Sequence, residues 1–60
     1  MTGRYINGED VVEISRDGVY TTYTRGTNEP LYHGPDPDAA RRSLDMTALE
    51  WNELIMSDEE

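Results

Sequence analysis

The first 25 residues consist of short apolar clusters separated by polar, glycine-containing dipeptides, a pattern that gives them β character. The segments "RYINGEDVV" and "ISRDGVY" contain the dipeptides Asn7-Gly8 and Asp17-Gly18. Both dipeptides suit two-residue hairpin turns, which require positive φ. The segment "VYTTYT" is dense in β-branched and aromatic residues and gives the clearest strand signal. The pattern predicts consecutive antiparallel strands joined by tight turns.

A two-residue turn at Asp17-Gly18 would also decide which side chains share a face of the hairpin. It would place Ile14 opposite Thr21 and Val12 opposite Tyr23. One face would carry Val12, Ile14, Val19 and Tyr23, and the other Val11, Glu13, Ser15, Tyr20, Thr22 and Thr24. Because the first face is more apolar, we predict that it faces the core and that Tyr20 lies on the less favourable side.

The β character is interrupted after residue 25. The composition of "RGTNEP" predicts a loop, and Leu31-Tyr32 is the candidate for a short fourth strand after the first three. The two prolines of "HGPDPD" oppose regular strand pairing, which puts His33 in a loop. Asp36 and Pro37 are residue types favoured at a helix N-cap and at the first helical position, so we expect a helix to begin there.

The helical half admits two interpretations. One long helix would align Ala40, Leu44, Ala48, Trp51 and Ile55 in a single apolar stripe. Two helices would break near Asp45-Met46, with Thr47 and Glu50 forming a capping box at the start of "ALEWNELIM". The capping box favours two helices. In either case we expect Trp51 in the core, and Glu50 and Glu53 together on the solvent-exposed face.

These elements define one α+β domain over residues 1–60. A β-meander of three or four strands (residues 1–32) precedes one or two C-terminal helices (residues 36–57) and an acidic tail (residues 58–60), packed as two layers. With no cysteine and one histidine, the chain offers no disulfide framework and no zinc cluster. No apolar run approaches the roughly 20 residues that span a bilayer, and no signal segment opens the chain. We expect a soluble, cytoplasmic monomer or small homodimer without a cofactor or metal.

Conventional catalytic groups are scarce. The chain has no Cys or Lys nucleophile, His33 is its single conventional base near neutral pH, and no nucleophile elbow supports it. The sequence around Asp36 and Asp38 lacks the regularly spaced oxygen ligands of a calcium loop. The start of a helix accounts for the presence of both acids without a metal. Arg41 and Arg42 are expected to pair with Asp38 or Asp45 on the helix. We therefore predict a protein that is not an enzyme.

Charge is the strongest global signal. Thirteen acids face five arginines, a net charge of −8. Residues 1–25 hold four acids and three arginines, a net of −1, whereas residues 26–60 hold nine acids and two arginines, a net of −7. Such a chain is repelled by nucleic acid and anionic membranes and attracted to basic proteins. The candidate partner-binding residues are the acids of the helical half: Asp36, Asp38, Asp45, Glu50, Glu53, Asp58, Glu59 and Glu60.

In size, acidity, lack of cysteine and α+β plan, the chain resembles the small acidic inhibitors that phages make against host nucleic-acid enzymes, such as anti-CRISPR proteins, anti-restriction proteins and uracil-DNA glycosylase inhibitors. The resemblance implies a DNA-mimicking surface that blocks target-DNA binding by a CRISPR effector subunit or another host DNA enzyme. The alternative is a small regulatory or structural module that binds a protein through an apolar or Tyr-rich face. In that case the acids serve only solubility.

Overall fold

A computed structural model describes residues 3–56 as a four-stranded antiparallel sheet followed by two helices. The strands are β1 (Gly3–Asn7), β2 (Asp10–Ile14), β3 (Tyr20–Thr24) and β4 (Pro30–Gly34), and they lie side by side in that order. The helices are α1 (Pro37–Ser43) and α2 (Ala48–Met56). The α+β prediction is confirmed. Of the predicted alternatives, the structure has four strands rather than three, and two helices rather than one.

The first hairpin turns one residue later than the dipeptide Asn7-Gly8 indicates. Asn7 pairs with Asp10, which leaves Gly8 and Glu9 as the two-residue loop. Gly8 has a φ of +66°, and glycine at the first loop position is one of the favoured hairpin turns.

The second hairpin contradicts the predicted register. Its loop has three residues, because the Ser15 N–H donates to the Val19 carbonyl (2.9 Å) and the Gly18 N–H donates to the Ser15 carbonyl (3.0 Å). Gly18, with a φ of +85°, takes the left-handed position that such loops need. Ile14 therefore pairs with Tyr20 instead of Thr21. A slip of one residue turns every side chain of β3 to the other face.

In the observed register Tyr20, and not Tyr23, is the β3 tyrosine that faces the core. Tyr20 packs against the core, and its ring centroid lies 6.0 Å from that of Trp51 at an interplanar angle of 42°. Thr22 is fully buried on the same face. Tyr23, predicted in the core, lies on the face of the sheet opposite the helices, where it pairs with Val11.

The fourth strand is longer than predicted and includes His33, which is not a loop residue. His33 pairs with Thr21 in β3, and its Nδ1 lies 2.8 Å from the Thr21 hydroxyl. Pro30 begins the strand and Pro35 follows its end, so neither proline interrupts the central pairs. The β3–β4 register shifts between Thr22 and Tyr23, which leaves a bulge opposite them.

Both ends of α1 follow local sequence signals. Asp36 is the N-cap, its carboxylate accepting from the Asp38 N–H at 3.0 Å, and Pro37 is the first helical residue. At the other end, the Met46 N–H donates to the Arg41 carbonyl and the Asp45 N–H to the Arg42 carbonyl. These two bonds form a Schellman motif. The predicted break near Asp45-Met46 is confirmed.

The capping box of α2 is also confirmed. The Thr47 N–H donates to Glu50 Oε1 (3.2 Å), and the Glu50 N–H donates to Thr47 Oγ1 (3.1 Å). The helix packs along β1, whereas α1 packs against β3 and β4. The two helices thus form one layer, which we call the helical layer and which includes Asp36 and the link at residues 44–47.

The core between the layers is small. Val12, Leu44 and Met46 are buried together, and six partly buried side chains pack around them: Tyr5, Ile14, Tyr20, Trp51, Leu54 and Ile55. Trp51 therefore faces the core as predicted, although it is only half-buried, and Ala48 is exposed. None of the nine described residues of α2 is fully buried.

Candidate protein-binding surface

Five of the eight candidate acids lie within the described residues, and all five belong to the helical layer. Asp36 and Asp38 stand at the start of α1, Asp45 lies in the link, and Glu50 and Glu53 project from α2. All five are exposed, and Glu50 and Glu53 share the outer side of α2 as expected. Asp58, Glu59 and Glu60 lie outside the described residues.

The two acids at the start of α1 have local partners. Asp36 caps the helix, and Asp38 forms ion pairs with Arg41 (3.0 Å) and Arg42 (3.3 Å). Arg41 also donates to the Met46 carbonyl at 2.7 Å, which ties α1 to the link. The expected pairing of the arginines is thus confirmed for Asp38. Two cations offset two acids here, so this end of the helical layer contributes little net negative charge.

The remaining three acids carry uncompensated charge. Asp45, Glu50 and Glu53 form no ion pair with any residue that the structure describes. Glu50 accepts the hydrogen bond of the capping box, which uses its carboxylate as an acceptor and leaves its charge in place. The negative charge of the helical layer is therefore concentrated around the link and α2.

A shallow cleft of about 430 Å³ lies where α2 meets the edge strand β1. Glu50 and Glu53 line it together with Ile6, Asn7 and Leu54. Half-buried Leu54 gives the cleft an apolar wall beside the two carboxylates, whereas Ile6 pairs with Val11 and lies at the cleft's edge. Sequence reasoning missed Ile6 and Asn7 because their role depends on which strand α2 packs against, and no local signal in the sequence specifies that.

The sheet face opposite the helices has its own polar network. Arg4 Nε lies 3.4 Å from Glu13 Oε2, and the Tyr23 hydroxyl donates to the same oxygen at 2.9 Å. Arg4 also donates to the Tyr23 hydroxyl at 3.3 Å. Two shallow depressions of about 440 and 400 Å³ meet at Glu13 and Thr21. Because Arg4 and Glu13 neutralise each other, this face is polar but close to neutral.

Residues 3–56 contain neither a cluster of metal-ligating side chains nor a membrane-spanning helix. No group of three or more histidines and carboxylates in this part of the chain is placed to hold a metal ion. The helices described there are too short and too polar for any of them to cross a membrane.

Comparison of the chain with protein-family models, with curated proteins and with solved structures gave no significant match.

Proposed function

We propose that this chain is a non-enzymatic protein-binding module of the cytoplasm that presents the acidic end of its helical layer to a basic nucleic-acid-binding protein. One observation carries the proposal. Asp45, Glu50 and Glu53 are exposed and have no cationic partner among the described residues, and they belong to a half of the chain with a net charge of −7.

A DNA-binding groove is the partner surface that best complements this charge. Duplex DNA carries one negative charge per ~1.7 Å of axis, so a protein that binds it already presents a dense array of Arg and Lys. The chain exposes 4178 Å², and one side of a standard interface covers about 800 Å². The link and α2 belong to one layer of a small domain, so a footprint of that size can include all three acids. Association would be electrostatically steered and would weaken with salt.

In a phage setting the partner would be a CRISPR effector subunit or another defence enzyme that binds DNA. The bound module would then occupy the groove and block target DNA, as an anti-CRISPR or other anti-defence protein does. This part of the proposal is supported by the resemblance in size, acidity and α+β plan to small phage inhibitors.

The test compares two sets of substitutions that remove the same charge from different places. The first set is Asp45→Asn, Glu50→Gln and Glu53→Gln. Asn tolerates the left-handed backbone of position 45, and Gln keeps the acceptor of the capping box. The control set is Glu9→Gln, Asp17→Asn and Glu29→Gln, three exposed acids of the strand connections. Each set changes the net charge from −8 to −5.

A partner is first captured from a lysate of the host at low salt, identified and purified. Its affinity for each variant is then measured with and without competing duplex DNA. We expect the first set to weaken binding 10-fold or more, the control set to weaken it less than 3-fold, and duplex DNA to compete. Equal losses from both sets, or binding that is indifferent to DNA, would contradict the proposal.

A second candidate is a protein-interaction module that uses the open sheet face. Two shallow depressions that meet at Glu13 and Thr21, beside the ring of Tyr23, favour this alternative. Binding through this face would be nearly independent of salt and would be lost in Thr21→Arg, which adds bulk between the two depressions. The three acid substitutions in the helical layer would leave such binding unchanged.

A further inference from the structure

Helix α2 is apolar on two sides. Its inner side places Trp51, Leu54 and Ile55 against the core. Leu49 and Met56 point away from the core and are 68% and 74% exposed. They are seven residues apart, which corresponds to two turns of helix, so they share one face and lie roughly 10 Å apart along the axis.

Two exposed apolar side chains on one helix face call for an explanation, whereas apolar residues scattered singly over a surface do not. Single exposed apolar side chains are ordinary. A surface helix of a globular domain, however, normally gathers its apolar residues into one stripe that faces the core. In α2 the two most exposed large apolar side chains of the described chain share the opposite face. Glu53 lies between them in the sequence, four residues after Leu49 and three before Met56, so a carboxylate shares this outer face.

We propose that Leu49 and Met56 are the apolar anchors of the partner interface, and that they pack on an apolar patch of a protein whose surrounding Arg or Lys side chains contact Glu50 and Glu53. The inference rests on the proposed function and adds the partner's chemistry to it. Protein interfaces place apolar anchors at the centre and charged groups at the rim. The cleft beside α2 offers Leu54 as packing surface for the aliphatic part of an arginine.

Charge complementarity selects a basic partner over a second copy of this chain. Pairing two α2 faces would bring the Glu50 and Glu53 carboxylates of both copies close together, between two bodies of net charge −8 each. Like charges in contact disfavour such a dimer. An apolar patch bordered by Arg or Lys complements both the exposed apolar side chains of α2 and its carboxylates.

The test uses a defined probe. A synthetic helical peptide carries a Leu stripe flanked by Arg, and a scrambled peptide of the same composition lacks the stripe. Binding to the full chain is measured by calorimetry and by the fluorescence of Trp51, the single tryptophan of the chain. The test variant is Leu49→Gln with Met56→Gln, since Gln is a good helix former. The matched control is Leu31→Gln, which removes an apolar side chain 52% exposed in β4.

We expect the striped peptide to bind at least 10-fold more tightly than the scrambled one. Leu49→Gln/Met56→Gln should remove that preference, whereas Leu31→Gln should keep it. Glu50→Gln/Glu53→Gln should weaken the binding of both peptides. If the charge variant weakens binding while the apolar variant leaves the preference intact, the anchor proposal fails and the proposed function stands. If neither variant changes binding, both fail.

Sedimentation at 0.1 M and 1 M NaCl tests whether a second copy of the chain occupies this face instead. A basic partner predicts that the chain stays monomeric at both salt concentrations. A dimer that strengthens with salt and disappears in Leu49→Gln/Met56→Gln would assign the face to a second copy and overturn the proposal.

Discussion

Asp45 combines two unfavourable features at one position. It has a φ of +58°, the one positive value among the described non-glycine residues, and it occupies the C′ position of the Schellman motif, where glycine is most common. Its carboxylate also lies at the C-terminal end of α1, where the helix dipole disfavours negative charge. A residue that costs stability in both ways is a reasonable candidate for a role outside folding.

We predict that Asp45→Gly raises the free energy of unfolding by about 0.5–1 kcal/mol. The substitution relieves the left-handed backbone and removes the charge, which together outweigh the greater unfolded-state entropy of glycine. Urea denaturation gives the value. Asp45→Ala separates the causes, because it removes the charge and keeps a Cβ at positive φ. Equal stabilisation by Ala and Gly would show that the charge, and not the backbone, is responsible.

A chain of hydroxyl groups connects the sheet to α1. Ser43 Oγ donates its single hydrogen to the Ala40 carbonyl at 2.6 Å, so the Thr22 hydroxyl, 2.6 Å from Ser43 Oγ, must be the donor of that contact. Thr22 is fully buried, so water cannot replace Ser43 as the acceptor of the Thr22 hydroxyl hydrogen. This contact therefore couples β3 to the helical layer.

We predict that Ser43→Ala lowers the free energy of unfolding by about 1–3 kcal/mol, the cost of leaving a buried donor unsatisfied. Thr22→Val should have a smaller effect, because the Ser43 hydroxyl keeps its Ala40 acceptor. In the double variant most of the Ser43→Ala loss should be recovered. Thermal or urea unfolding of the four proteins completes the cycle, and strictly additive losses would mean that the two hydroxyls do not interact.

Helix α2 depends on its cap more than a deeply buried helix would. It contributes no fully buried residue among those described, so less packing energy compensates for a lost cap. We predict that Thr47→Ala lowers the free energy of unfolding by about 1 kcal/mol. Thr47→Ser, which keeps the hydroxyl acceptor, should cost less than half of that. Amide exchange within residues 48–56 should accelerate in the Ala variant and stay near the original rate in the Ser variant.

The elements that the sequence predicted well are those with local signals. Asp36-Pro37 and the Thr47/Glu50 box each act within one turn of helix, so their residue types were sufficient. The β2–β3 register was wrong because one extra loop residue reverses the faces of a strand. Ser15 and Gly18 do suit the first and last positions of a type I turn, so "SRDG" held a usable signal. The α2–β1 cleft could not be predicted, because it forms only when distant residues pack together.

Across the molecule, negative charge exceeds positive charge within a small volume. The domain measures 28 × 24 × 20 Å, so at low ionic strength most of its charges lie within a few Debye lengths of one another. Within residues 3–56, three ion pairs involving Glu13 and Asp38 offset part of the repulsion, but exposed pairs contribute about 0–1 kcal/mol each. Self-repulsion at net −8 should therefore dominate the response to salt.

We predict that the free energy of unfolding rises by about 1 kcal/mol between 0.05 M and 1 M NaCl, because the Debye length falls from more than ~10 Å to about 3 Å over that range. The variant Glu9→Gln/Asp17→Asn/Glu29→Gln, with a net charge of −5, should show a smaller rise and a higher stability at low salt. A fall in stability with salt would mean that the ion pairs outweigh the repulsion. Stability and partner binding should thus respond to salt in opposite directions, because the same uncompensated acids oppose folding and attract a basic surface.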